Sequence, residues 1–289
     1  MELRVLRYFL MAAREENMTK AAELLHITQP TLSRQIMQLE EELGCKLFHR
    51  SKHSIYLTEE GMLLKKRAKD IVELADRTER EFANLQEEPA GEIVFGCAEA
   101  ECMQELAGMM TRFQRKYPLV QYEMYTANAD DIKERLDRGL IDIGLLSEPV
   151  DISKYHFLRL KSRAQWGVFV PDNSELAERD VVTAEELTKI PVLMPKRTIV
   201  KNELENWFGE YYHQIKIAGT YNLLNNAAVM VKNHIGAALS FQIGTSYEHL
   251  TFVHLSPALE TGFVLVWRKN QVFAGVVQEF LRDMKINHT

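Results

Sequence analysis

Residues 19–50, TKAAELLHITQPTLSRQIMQLEEELGCKLFHR, constrain this chain more than any other stretch. The apolar spacing predicts a short helix ending near Leu25, a turn centred on Ile27, and a longer helix that Gly44 stops. Thr19 is the expected N-cap of the first helix and Thr28 that of the second, with Pro30 just inside, where a missing N–H costs nothing. Ala21 and Ala22 are small where the second helix must pass. Leu32, Ile36, Leu39 and Leu43 follow a 4, 3, 4 spacing and predict one buried stripe. Away from it lie Gln29, Pro30, Thr31, Ser33, Arg34 and Met37. Gln, Thr, Ser and Arg hydrogen-bond base edges and phosphates, so this free face reads as one presented to duplex DNA. The acidic run at 40–42 is expected to point away from it.

After Gly44 the pattern shifts to alternation. Residues 46–50 and 53–57 predict two short strands joined through Ser51, Lys52 and His53, a wing with a basic tip. Such wings set basic side chains against the backbone or the minor groove. The expected DNA-contacting set is therefore Thr28, Gln29, Pro30, Thr31, Ser33 and Arg34 on the helix, with Arg50, Lys52 and His53 on the wing.

The segment AAELLHITQPTLSRQIMQLEEELGCKLFHRSKHSIYLTEEG resembles the N-terminal winged helix–turn–helix of the LysR-type transcriptional regulators. It carries A-A-x-x-L, Q-P-x-L-S-x-x-I-x-x-L-E-x-x-L-G and L-F-x-R in order. Farther on, Gly96 to Pro118 and LxxGxIDIGLL from Leu136 to Leu146 are similar to the start of that family's effector-binding part. The resemblance implies an all-α-rich winged helix–turn–helix domain plus a long linker helix, followed by a two-lobed α/β domain like the periplasmic solute-binding proteins. It also implies a homodimer, extended to a tetramer as a dimer of dimers, with RNA polymerase a further candidate partner. It implies no particular ligand.

Composition sets bounds. The 289 residues are 46% hydrophobic, enough for real cores in two or three domains. A net charge of −6 argues against a wholly electrostatic DNA binder, but the footprint needs only a local positive surface. Residues 1–58 hold eight Lys/Arg against seven Asp/Glu, which favours binding as an oligomer. The early apolar run at 8–13 is too short for a secretion signal, and no stretch approaches a membrane span, so a cytoplasmic location is expected. Three cysteines fit reduced thiols. No phosphate-binding, nucleophile-elbow or metalloprotease motif is present, and nine His lack metal spacing. Neither a catalytic residue nor a metal or cofactor is expected.

From Glu59 to about Gln86 a single helix is predicted, with Leu57, Gly61, Leu64, Ala68, Ile71, Ala75, Thr78, Phe82 and Leu85 in a heptad seam. Leu64, Ala68, Ile71, Ala75 and Phe82 are the expected dimer contacts. At 1.5 Å per residue such a helix is roughly 40 Å long, similar to the spacing of successive major grooves. Residues 89–91, Pro-Ala-Gly, read as a hinge.

Strands and helices then alternate, predicting parallel sheets in two lobes. The domain reading is 1–58, 59–88 and 91–289, with lobe one at 91–161 and 268–289 and lobe two at 162–267. Ligands of open α/β sheets bind beyond the carboxyl ends of strands. That rule selects Glu99, Ala100, Glu101, Cys102, Thr126, Asn128 and Ser147 from lobe one, and Lys196 with Arg197 and Thr198, Asn222 and Phe241 from lobe two. The resemblance implies Ser or Thr after the first strand, holding an anion with helix amides. Glu99 and Glu101 stand there instead, as helix caps or as the wall of a pocket suited to an amine or zwitterion. Cys97 and Cys102 are either buried hydrophobes or a redox pair. Two functions stay open: a regulator responding to a small-molecule effector, and a ligand-independent DNA binder whose C-terminal domain only oligomerises.

Overall fold

The computed structural model describes residues 1–50, 54–83 and 89–287, which divide into compact units at 1–84 and 85–289. The first unit contains α1 (Leu3–Glu15), α2 (Met18–Leu24), α3 (Gln29–Leu43), the hairpin β1 (Phe48–Arg50) and β2 (Ile55–Leu57), and α4 (Glu59–Ala83). Asn17, not Thr19, caps α2: its Oδ1 accepts from the N–H groups of Thr19 and Lys20 at 2.9 and 3.0 Å. The helix begins one residue before Thr19, whose own amide is among the donors that need a partner. Thr28 caps α3 as expected, accepting from Thr31 N, and Gly44 ends it at φ +67, a conformation that a side chain disfavours.

Leu32, Ile36 and Leu39 are fully buried beside Phe9, Ala21 and Ala22, each large side chain contributing about 1.5–3 kcal/mol. Leu43 is exposed, so the stripe ends a turn early. Glu40 replaces it and does not point into solvent. Its carboxylate is 1% exposed and accepts from Leu47 N and Phe48 N at 2.9 and 3.3 Å, while Lys46 and Arg50 approach at 3.2 and 3.5 Å. The end of the recognition helix is thereby tied to the start of the wing.

In α4 the heptad seam divides. Thr58 caps the helix through Gly61 N, and Gly61 sits so close to the Leu47 carbonyl that an added Cβ would lie 2.2 Å from it. Ala68 is buried and Leu64 and Val72 pack on the unit's own core, with Arg7 of α1 paired to Asp76. Ala68 is therefore covered within one copy, while Leu64 and Ala75 are half-buried. Met62, Leu63, Ile71, Leu74 and Phe82 are the large apolar residues that α4 exposes among the described ones. A 3.5-residue period identifies an apolar stripe but not what covers it. Leu85 falls outside the described residues.

The second unit opens with β3 (Gly91–Cys97), α5 (Met103–Lys116), β4 (Val120–Thr126), α6 (Ala129–Asp137) and β5 (Ile143–Ser147). The strand β6 (Tyr155–Pro171) follows, then β7 (Val181–Thr183), α7 (Ala184–Leu187), β8 (Pro191–Pro195) and α8 (Thr198–Phe208). After β9 (Lys216–Tyr221), α9 (Leu224–Lys232) and β10 (Ala237–Phe241) come β11 (Leu250–Ser256), β12 (Glu260–Arg268) and α10 (Gly275–Asn287).

The sheets are mixed rather than purely parallel. In lobe one the order is β4-β3-β5-β12-β6, with β12 antiparallel to both β5 and β6; in lobe two it is β6-β10-β8-β9, with β11 and β7 on the other side of β6. The long β6 serves both lobes, pairing with β12 up to Gln165 and with β10 from Trp166. Residues 260–267 and 162–165, placed in lobe two by the expected chain crossings, pair within the lobe-one sheet. An apolar run reports burial and not which sheet it joins. In the IDIG motif, Asp142 is buried and its carboxylate accepts from Val94 N at 2.9 Å, extending the β3–β5 pairing by one residue.

Candidate functional site

Two places collect the residues singled out by sequence. On α3, Gln29, Pro30, Thr31, Arg34 and Met37 are exposed and Ser33 is half-buried, all on the face opposite Leu32 and Ile36. Gln29 donates to Ser33 Oγ at 2.8 Å and the Thr28 and Thr31 hydroxyls share a 2.8 Å hydrogen bond, so the face is pre-ordered. Arg50 lies on the wing strand but leans on Glu40, so it is less free for a phosphate than expected. Lys52 and His53 lie outside the described residues.

The second place is a cleft of about 700 Å³ between the lobes of the C-terminal unit. Glu99, Asn128, Ser147, Lys196, Asn222 and Phe241 all line it. Ala100, Glu101 and Thr126 do not; they border an adjoining hollow that shares Ala98, Glu99 and Ile243 with the cleft, where the Glu101 side chain packs within 3.1 Å of the Gly244 Cβ position. The reason is local: α5 starts at Met103, so residues 101–102 form a turn that carries Glu101 away from the cleft. Cys102 is buried in the lobe core. Burial pushes its thiol up to about 12, and burial also raises Cys97, so neither is a ready thiolate for redox chemistry.

The cleft has an aromatic floor. Trp166, Phe241 and Phe263 stack edge to face at 5.5 and 5.7 Å, and the Trp166 N–H donates to Thr261 at 2.6 Å. Asn128 caps α6 through Asp130 N and Asp131 N and donates to the Asp131 carboxylate, so much of its hydrogen-bonding capacity is committed. Asn222 accepts from Leu223 N, and Lys196 is exposed, anchored by its backbone to Tyr221. The cation that faces inward is Arg197, whose side chain is 12% exposed. It donates to Ser147 at 3.5 Å, and its Nε sits 3.5 Å from Asp130 Oδ2 without a hydrogen-bond partner. Across the cleft, Glu99 Oε1 accepts from Asn225 at 2.7 Å, Asn225 in turn accepts from the Tyr247 hydroxyl, and Glu99 Oε2 is buried without a partner. Burial, then the Glu99 charge, raises the Tyr247 phenol.

Family models match the two stretches of chain that hold these places. Residues 3–62 match a bacterial regulatory helix-turn-helix protein of the lysR family, and residues 86–285 match the LysR substrate binding domain. This chain belongs to the LysR family of transcriptional regulators. The family comprises regulators rather than enzymes. Among curated relatives, the HTH-type transcriptional regulator AlsR of Bacillus subtilis is 32% identical over 67% of this chain; the match spans 64% of AlsR. An uncharacterized regulator of the same organism, YybE, is 26% identical over 100% of this chain and 99% of its own length. The fold is that of CbnR, a LysR family regulator, with a TM-score of 0.80 at 18% identity and 100% of both chains covered. A structure of CbnR with its target DNA gives 0.77 at 19% identity over 99% of each chain. No helix among the described residues is long and apolar enough to cross a membrane.

For a LysR-type chain the positions that sequence reasoning left undecided or missed are instructive. Arg197 stands beside Lys196 as a lobe-two candidate in the sequence, and only the placement of α8 decides which of the two turns inward. Trp166 was hidden because β6 runs through both lobes without a break. Asn225 and Tyr247 bear no motif; their signal is the carboxylate they hold.

Proposed function

We propose that this LysR-type regulator reads an operator through α3 and alters that binding when a small molecule occupies the interlobe cleft. The observation that carries the proposal is the pairing of an exposed, pre-ordered polar face on α3 with a cleft holding two opposite charges, each with an unsatisfied polar atom. Gln29, Thr31, Ser33 and Arg34 meet base edges, and Arg50 meets the backbone. Two copies pair through the exposed side of α4, and the C-terminal lobes extend the assembly further. A ligand acts only if it binds one arrangement of the copies more tightly than another.

The test begins with operator fragments selected from genomic DNA by the full chain. Footprints are then taken with and without fractionated metabolites. A footprint that changes length with a small molecule, and does so no longer in Arg197→Gln, supports the reading. A footprint that no cleft-binding molecule alters favours the second reading, in which the C-terminal unit only oligomerises.

A further inference from the structure

The cleft is not electrostatically uniform, and its two poles belong to different lobes. Glu99 comes from the loop after β3 in lobe one, and Arg197 from the start of α8 in lobe two. Both line the same cavity. Each is partly satisfied by the opposite lobe, Glu99 by Asn225 and Arg197 by Ser147, and each keeps one buried polar atom without a partner. Buried charges left incomplete in this way cost free energy unless something supplies the missing contact. One other ionisable group opposes the polarity: Asp130 Oδ2 lies 3.5 Å from Arg197 Nε as an ion pair without a hydrogen bond, so the guanidinium keeps a donor to offer. Asp130 and Asp131 sit in the first turn of α6, where the helix N-terminus favours them, and Asp131 already accepts from Asn128. Lys196 projects to solvent, and the Tyr221 hydroxyl donates to the Leu239 carbonyl.

We infer that the cleft takes a zwitterion of the amino-acid type, its ammonium on Glu99 Oε2, its carboxylate on the Arg197 guanidinium, and an apolar body over Trp166 and Phe241. This rests on the reading of the cleft as an effector site and deepens it. A simple carboxylate would satisfy Arg197 but bring like charge toward Glu99 in a partly desolvated space. A simple amine would satisfy Glu99 and leave Arg197 as it is. Only a molecule carrying both charges completes both lobes at once.

The experiment is calorimetry on the full chain with the proteinogenic amino acids and a set of β- and ω-amino acids. Each is measured beside its deaminated carboxylate and its decarboxylated amine. The expected result is at least one zwitterion binding about tenfold or more tighter than either of its twins, the worth of one charge-assisted hydrogen bond. Glu99→Gln should erase the advantage over the carboxylate, and Arg197→Gln the advantage over the amine. The twin comparison in the parent chain stands even if a variant folds poorly, which melting curves would reveal. Carboxylates binding as tightly as their zwitterions overturn the inference and leave the effector site standing. Binding by no member of any series overturns the inference as well, and the footprint experiment then decides alone whether the cleft is a site.

Discussion

Glu40 shows how one residue can be misread by its neighbours in sequence. Within Glu40, Glu41 and Glu42 it reads as part of a solvated acidic tail, yet it is the buried acceptor for two backbone amides at the root of the wing. Glu40→Ala strands those amides, while Lys46 and Arg50 can return to water; a loss of about 2–4 kcal/mol in urea unfolding is expected. Arg34 is exposed on the opposite face. Arg34→Ala should leave stability unchanged and weaken operator binding by about 1–3 kcal/mol in gel shifts at fixed salt; unchanged affinity would remove Arg34 from the contact set. Glu203 tests burial without a partner. One of its oxygens is buried and unsatisfied, and desolvation raises its pKa. A carboxyl whose pKa is raised in the fold is tolerated while neutral and becomes destabilising as pH climbs past its unfolded value. Glu203→Gln, which fixes the neutral form, should therefore raise the melting temperature at pH 7, and the gain should shrink toward zero as pH falls below the ordinary glutamate range.

At the scale of elements, α3 and its turn were legible because caps, glycine and apolar period all agree there, and each is a short-range rule. The exception, Asn17 in place of Thr19, moves a helix start by two residues and changes nothing downstream. The strands of the C-terminal unit were legible as strands, but not their pairing. β6 and β12 are joined by contacts across about a hundred residues of chain, as in Glu260 with Gln165, and no local pattern encodes that partnership. The cleft suffered from the same limit: strand-end logic placed Glu99, Asn128, Ser147, Lys196, Asn222 and Phe241 together, and failed for Glu101 where a two-residue turn intervenes. The α4 seam is the sharpest case. Its apolar period is real, but α1 and the wing take Gly61, Leu64 and Ala68, leaving Ile71, Leu74 and Phe82 exposed. Ile71→Asp should therefore leave the melting of the N-terminal unit nearly unchanged while shifting sedimentation toward a smaller species. A variant that sediments like the parent would mean that this face is not an interface.

For the whole molecule, charge decides how it must meet DNA. The chain carries a net −6, so its long-range field repels a polyanion. The described residues up to 50 offer little to offset this, because their Lys and Arg side chains are largely paired. Arg4 pairs with Glu2, Arg7 with Asp76, Arg14 and Lys20 with Glu15, and Lys46 and Arg50 with Glu40. Among the described basic side chains up to residue 50, Arg34 alone has no acidic partner. A single copy then neutralises only two or three phosphates, and log K should fall with log salt at a slope of about −2 to −3. Such an interaction is too weak to hold one copy at an operator against competing non-specific DNA. Two copies joined through α4, as proposed, would add their slopes, and the second would dock from a high effective concentration set by the first. Titrating the parent across a salt series should therefore give about twice the slope found for Ile71→Asp, together with a loss of affinity larger than any single contact supplies. Equal slopes for the two proteins would show that one copy carries the whole electrostatic footprint, and the argument from paired cations would fail.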